Sequence, residues 1–240
     1  MSPLAAVSVL QKFRGLYKPP RTFLAHRTPF DLLIATLLSA QCTDARVNIV
    51  TKEILYPKYK TARDYVRVTQ AALERDVRTC GYFRTKAKNI QALCSMLIEK
   101  HGGKVPRTME ELVELPGIGR KTAAIILWAC FNKNEGIAVD THVMRLSRRL
   151  GLTKHAAQHK IEMDLMQALP RKDWGYFNTH AIAHGRAVCT ARNRKCSACI
   201  FKKECPSSLV LGHSDLASSD AKRRGGAPQG VKGSPRSPRA

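Results

Sequence analysis

Leu115-Pro-Gly-Ile-Gly-Arg-Lys-Thr-Ala123 sets a Pro-Gly-x-Gly turn between two helical patterns. Glycine reaches backbone conformations closed to other residues, so Gly117 and Gly119 allow a hairpin whose backbone, with Ile118 at its tip, can come close to a ligand. Arg120 and Lys121 then open the next helix, at the end where unpaired N–H groups and the helix dipole favour anions. The turn reads as a phosphate site with an amine beside it. Downstream, Val139-Asp-Thr-His142 places a carboxylate at the start of another helical pattern, where aspartate is a favourable N-cap. Lys121 and Asp140 thus form a candidate amine and carboxylate pair. Hairpins of this kind also occur in proteins that only bind DNA, so the turn alone signals nucleic acid and not catalysis.

Outward from the hairpin the pattern stays helical. Thr108-Met-Glu-Glu111 is a capping box that starts the helix leading into it. Thr28-Pro-Phe-Asp31 combines an N-cap residue, a proline at the first helical position and a carboxylate in the first turn. Residues 32–40 follow, apolar on nearly every side, as expected of a core helix. Helical periodicity also covers 5–14, 43–55, 70–79 and 85–101, the last stopped by Gly102-Gly103. Beyond the hairpin lie an apolar helix over 123–131, a polar break at 132–136, and helical patterns over 140–150, 156–169 and 174–188. No strand-like alternation of useful length intervenes, so the fold class is all-α.

A chain of 240 residues can bury the core of one large domain or two modest ones. Its 41 Lys and Arg against 18 Asp and Glu leave a formal net charge of +23, which makes nucleic acid the leading partner and an anionic membrane surface the second. No apolar run approaches the roughly eighteen residues of a membrane span, and residues 3–10 lack the basic leader of a secretion signal; an intracellular protein is expected. From Gly212 onward Gly, Pro, Ser and Arg replace large apolar side chains. Residues 212–240 are therefore expected to form a disordered basic tail, either adding salt-sensitive attraction to DNA or merely solvated.

Eight cysteines in such a chain do not read as a disulfide framework. Cys189, Cys196, Cys199 and Cys205 have the spacing C-x6-C-x2-C-x5-C, in a loop too short to own a core, and a metal centre would stabilise it. Four thiolates suit structural zinc as well as an iron–sulfur cluster, and their number alone favours zinc. Arg186, Arg192, Arg194, Lys195, Lys202 and Lys203 surround them, as in a rigid loop that presents cations to phosphates. Cys42, Cys80, Cys94 and Cys130 fall in or near apolar helices and read as inert core residues.

Taken in order, these motifs resemble the endonuclease III family, the helix-hairpin-helix DNA glycosylases that carry a [4Fe–4S] cluster. Leu37-Leu-Ser-Ala-Gln-Cys-Thr-Asp44 and His184-Gly-Arg186 match as well, so the resemblance spans residues 5–208. It implies two all-α domains with the active site between them: a six-helix barrel with the hairpin over 25–133, and a cluster domain built from 1–24 and 134–211. It also implies a [4Fe–4S] cluster on the four cysteines in preference to zinc, and a monomer that acts on double-stranded DNA containing damaged bases or abasic sites.

The resemblance assigns chemistry residue by residue. A glycosylase must reach an anomeric carbon hidden in the duplex, so the nucleotide is flipped out. Lys121 is implied as the nucleophile, attacking the sugar to leave a Schiff base, with strand cleavage by β-elimination. That step needs a neutral amine, and the neighbouring Arg120 and the helix N-terminus both disfavour an ammonium. Asp140 would stabilise positive charge on the sugar and help transfer protons, a role compatible with capping. Gly117, Ile118, Gly119, Arg120, Arg192, Arg194 and Lys195 would hold the backbone, Gln41 would fill the gap left by the base, and Ser39, Asp44 and His142 would line the pocket. Where the family has an aliphatic wedge this chain has Tyr82, which can stack on bases but is bulkier, with consequences for lesion and opposite-base preference. The implied function is a bifunctional DNA N-glycosylase and abasic-site lyase of base excision repair, removing oxidised pyrimidines. An adenine-mismatch glycosylase shares much of this pattern but typically lacks the lysine and adds a C-terminal domain. A non-catalytic damage-binding module is the alternative from another class.

Overall fold

Threonine caps set many of the helix starts. The computed structural model describes residues 4–213, so the tail expected over 212–240 lies outside the described residues from 214 on. The helices are α1 (Ala6–Leu16), α2 (Pro29–Leu38), α3 (Asp44–Val50), α4 (Tyr56–Lys58), α5 (Ala62–Arg67), α6 (Gln70–Val77), α7 (Phe83–His101), α8 (Met109–Glu114), α9 (Arg120–Phe131), α10 (Thr141–Arg149), α11 (Gln158–Ala168) and α12 (Trp174–Ala187). No strand occurs among the described residues. Thr28, Thr43, Thr69 and Thr108 each accept a backbone N–H three residues on, a cap worth about 1 kcal/mol.

Two stretches depart from the sequence reading. The helix expected over 43–55 passes through a π-helical turn, Thr51–Leu55, into the short α4. Thr51 is fully buried and its hydroxyl donates to the Asn48 carbonyl at 3.3 Å, while Pro57 has no N–H to continue the ladder. Helix α5 was not anticipated, because six residues are too few to display a period. Asp64 organises its start, accepting the N–H groups of Thr61 at 2.8 Å and Lys60 at 2.9 Å.

Apolar side chains gather in two clusters. The larger is built around α2, whose Leu32, Leu33, Ile34, Leu37 and Leu38 pack with Val47, Tyr65, Ile90, Leu97, Leu112 and Leu127 from α3 to α9. The smaller joins Val9, Leu10 and Phe13 of α1 to Val143, Leu146, Leu165 and Phe177 of α10 to α12, and to Phe201. Burial at about 1.5–3 kcal/mol per large side chain makes these clusters the main stabilising term. The N-terminal helix thus belongs with the C-terminal ones.

The chain passes from one cluster to the other at residues 137–139. Ile137 and Val139 pack in the smaller cluster and Ala138 between them in the larger, so alternate side chains of one segment bind both. Asn178 donates to the Ala138 carbonyl at 2.6 Å and Gln158 to that of Val139 at 3.1 Å. These amides satisfy a buried backbone and fix the segment that delivers Asp140. Helices α9 and α12 meet nearby, where a Cβ on Gly175 would stand 2.2 Å from the Trp128 ring. Arg21 and Arg14 lie over Trp128 and Tyr176, each at 4.7 Å, and extend that contact.

Candidate active-site cleft and cysteine loop

A cleft of about 380 Å³ opens where the two clusters meet. Its walls include Ser39, Gln41, Cys42 and Asp44 from the end of α2 and the start of α3, Lys121 and Ile125 from α9, Asp140 and Thr141, and Asn178 and Arg186 from α12. Lys121 is exposed in the first turn of α9, and Asp140 is half-buried ahead of α10. The Asp140 Oδ1 accepts the Val143 N–H at 2.8 Å. One carboxylate oxygen is thereby fixed by the helix it caps, and the other is left for the cleft.

Helix α9 starts at Gly119 without a side-chain cap. Its first N–H groups are the donors that a helix leaves for an anion. Gly117 has φ +80°, a conformation that favours glycine, and the turn closes with Ile118 N–H donating to Leu115 O at 3.0 Å. The Ile118 side chain is buried in the larger cluster, 5 % exposed, so the hairpin tip offers backbone and not an apolar side chain.

Arg120 is placed differently from its sequence reading. Its Nε donates to both carboxylate oxygens of Glu162 at 3.1 Å, and its Nη2 to the Glu135 carbonyl at 3.2 Å. Its charge is paired with Glu162 of α11. Arg186, read from sequence as part of the cysteine flank, instead reaches the cleft, where it pairs with Asp44 and lies 4.5 Å over the Phe23 ring. The Ser39 hydroxyl lines the cleft but donates to the Thr36 carbonyl at 2.8 Å. His142 sits behind the cleft wall, its Nδ1 3.1 Å from Arg145 Nη2. Burial first, and then Arg145 and Arg186, hold its pKa below the usual imidazole value, against Asp140 and Asp44.

Among the described residues three non-glycine residues have positive φ: Gln41 at 52°, Tyr82 at 46° and Asn132 at 56°. Asn132 ends α9, a position where such a conformation is ordinary. Gln41 and Tyr82 are both exposed on turns, Tyr82 at 68 %. Each such backbone costs on the order of 1 kcal/mol or more and persists only where its surroundings hold it. Gln41 lines the cleft; Tyr82, Gly117 and Gly119 lie outside its walls. Arg21, Asn178 and Arg186 were missed as cleft residues. Only Asn178, a buried amide on an apolar helix, carried a local signal.

The four cysteines line one cavity together with Leu146, Arg149 and His184. Arg149, 3 % exposed, donates to Cys189 Sγ at 3.3 Å and to the Thr190 and Ala191 carbonyls at 2.7 and 3.1 Å. The Phe201 N–H donates to Cys199 Sγ at 3.4 Å. Donors reach the sulfurs of Cys189 and Cys199, while burial raises the pKa of the Cys199 and Cys205 thiols, which a bound metal would deprotonate; four cysteines on one cavity suit a thiolate-bound metal centre. Arg194 turns inward to donate to the Ser207 carbonyl at 2.6 Å, whereas Arg192 and Lys195 are exposed.

A glycine hairpin opening on an uncapped helix start, an amine and a carboxylate on one cleft, and four cysteines on one cavity are the site features that the comparisons place in a family. The description "HhH-GPD superfamily base excision DNA repair protein" matches residues 34–171. The chain is 46% identical over 203 residues to the endonuclease III of Synechocystis, covering 85% of this chain and 92% of that protein. It is 43% identical over 197 residues to that of Bacillus subtilis, covering 82% and 89%. It also resembles a solved structure of a trapped endonuclease III–DNA covalent intermediate, an estranged-adenine complex. The TM-score there is 0.80 at 43% identity, over 84% of this chain and 96% of that one. A thermostable thymine-DNA glycosylase, at 22% identity and TM-score 0.72, over 86% and 95%, shares the fold. The chain belongs to the endonuclease III family, and its activity is that of a bifunctional DNA glycosylase and abasic-site lyase of base excision repair.

Proposed function

We propose that Lys121 is the nucleophile and Asp140 its charged partner in removing oxidised pyrimidines from double-stranded DNA. The observation that carries this reading is their position on the walls of one cleft, the lysine on α9 and the aspartate fixed as the cap of α10. Lys121 Nζ bonds to the anomeric carbon as the bond to the base breaks, and the electron pair leaves with the base. Ring opening gives a Schiff base, and loss of a proton from the adjacent carbon expels the 3′ phosphate. The free Asp140 oxygen stabilises the positive charge that develops on the sugar. A covalent intermediate trapped between DNA and an endonuclease III 43% identical to this chain supports attack by a protein nucleophile.

The two apolar clusters are read as the barrel domain, 25–133, and the cluster domain, 1–24 with 134–211. The backbone donors at Gly117, Gly119 and the start of α9 take one stretch of phosphate, and exposed Arg192 and Lys195 another. Gln41 and Tyr82 occupy the space vacated by the flipped nucleotide. Cys189, Cys196, Cys199 and Cys205 would hold a [4Fe–4S] cluster. The four cysteines share one cavity, and membership of the endonuclease III family favours a cluster there over zinc. When bound, the cluster cross-links a loop that has little core of its own.

Borohydride reduction during incubation with a duplex bearing an oxidised pyrimidine tests the assignment. The intact chain forms a covalent adduct with the DNA, and Lys121→Ala forms none while still binding the duplex. An adduct of undiminished yield in that variant would remove Lys121 from the chemistry.

A further inference from the structure

Lys86 is a lysine in the wrong place for an ordinary helix. It lies in the first turn of α7, where the helix dipole opposes a cation, and it is 4 % exposed. Nothing described above uses it, and the groups that act on its charge include no carboxylate. A buried ammonium kept without a counter-ion needs another reason to be there.

Its bonds supply one. The Lys86 Nζ donates to the Cys80 carbonyl at 2.7 Å, and the Lys86 backbone N–H donates to the Tyr82 carbonyl at 3.0 Å. The second is the ordinary first bond of the helix; the first, made by the side chain, ties the helix back to the start of the Cys80-Gly81-Tyr82 turn. Gly81 takes φ +67°, which glycine adopts freely, and Tyr82 takes φ +46°, where a tyrosine is strained; Tyr82 caps α7 without any side-chain bond of its own. Beneath it the Cys80 thiol meets that of Cys42, and burial pushes the Cys80 thiol up to about 11, with Cys42 adding to the effect. Cys42 directly follows Gln41, the other strained and exposed turn. Lys86 and the two thiols thus form a shared footing under both turns.

We propose that Lys86 is a positioning residue for the DNA-probing turns: its side chain holds the Gly81-Tyr82 turn in the left-handed conformation that presents Tyr82 for insertion into the base stack. The inference rests on the reading of Tyr82 as the wedge. Lys86 touches no DNA itself. It relieves no strain; it makes the strained conformation the populated one, so that Tyr82 meets the duplex already aimed.

The test is a double-mutant cycle on the full holoenzyme. Single-turnover base excision is measured on a duplex with an oxidised pyrimidine, together with the fluorescence of a 2-aminopurine placed beside the lesion, which rises when stacking is broken. Lys86→Met, which keeps the stem and loses the donor, is expected to lower excision and the fluorescence rise together, by about tenfold. Tyr82→Ala is expected to do the same, and the pair to lose no more than Tyr82→Ala alone. Lys86→Gln, which keeps a donor, should retain excision within about threefold. If Tyr82→Ala costs nothing, the wedge reading itself fails. If Tyr82→Ala is impaired but Lys86→Met is not, or if the two losses multiply, Lys86 does not act through Tyr82 and the proposal is overturned. Should the Met variant not fold, Lys86→Leu, which also lacks a donor, alone and in the Tyr82→Ala background decides by the same criteria. A merely structural lysine would change the melting temperature and leave excision per folded molecule intact.

Discussion

Replacing Asp140 by asparagine removes a charge from the cleft and leaves a helix cap in place. Only one oxygen, Oδ1, is committed to the Val143 N–H, at 2.8 Å, and an amide oxygen can accept that bond equally well. Loss of an aspartate cap to alanine costs about 1 kcal/mol, which in a chain of this size lowers the melting temperature by roughly 2–4 °C. Asp140→Asn should therefore melt within about 1 °C of the parent, since Asn and Asp cap comparably, while Asp140→Ala shows the full drop. Catalysis responds to the charge and not to the cap. Withdrawing a group aimed at developing transition-state charge costs about 10²–10³ in rate, so both variants should lose excision to that extent. The assay pairs thermal melting with single-turnover base release from an oxidised-pyrimidine duplex, and affinity for an uncleavable abasic analogue controls for binding. Excision by Asp140→Asn within a few-fold of the parent would refute the electrostatic role. Equal melting of the Asn and Ala variants would refute the capping argument.

Cys196→Ser should lower iron content, folding yield and duplex affinity together, because the loop that carries Lys195 depends on its thiolates; retention of all three would contradict a structural role for the centre. Lys195→Gln should reduce the slope of log affinity against log salt by about 0.9, the share of one phosphate contact, whereas Arg194→Gln should leave the slope unchanged and lower the melting temperature through its Ser207 bond. Burial, aided by nearby arginines, holds the pKa values of His142 and His180 below the ordinary imidazole value. The unfolded chain, titrating near about 6.5, takes up protons that the folded chain refuses, so stability is present above that pH and falls as pH drops through it toward the depressed values. Melting between pH 7.5 and 5 should show this decline, and His180→Gln should flatten it; the same pH dependence in that variant would assign the proton uptake elsewhere.

Local chemistry was legible in the chain and long-range pairing was not. Thr28, Thr108 and Asp140 cap the helices they were expected to cap, because a cap and the N–H it binds lie within three residues. Lys121 and Asp140 were readable as a pair, since each opens a helix after an identifiable turn. The pairing of Arg120 with Glu162, 42 residues away, and of Arg186 with Asp44, 142 away, was not visible in the sequence. The same blindness affects what the net charge of +23 was taken to mean. Lys86, Arg120, Arg149 and Arg194 are turned to carbonyls, to Glu162 or to a cysteine sulfur, so these cations are used inside the protein on the turns and loops proposed to face DNA. Net charge measures attraction at a distance, where every cation counts. At contact, on the proposed reading, the exposed backbone of the hairpin and uncommitted side chains such as Arg192 and Lys195 would decide where the phosphates come to rest, and the inward cations how rigidly that surface is held.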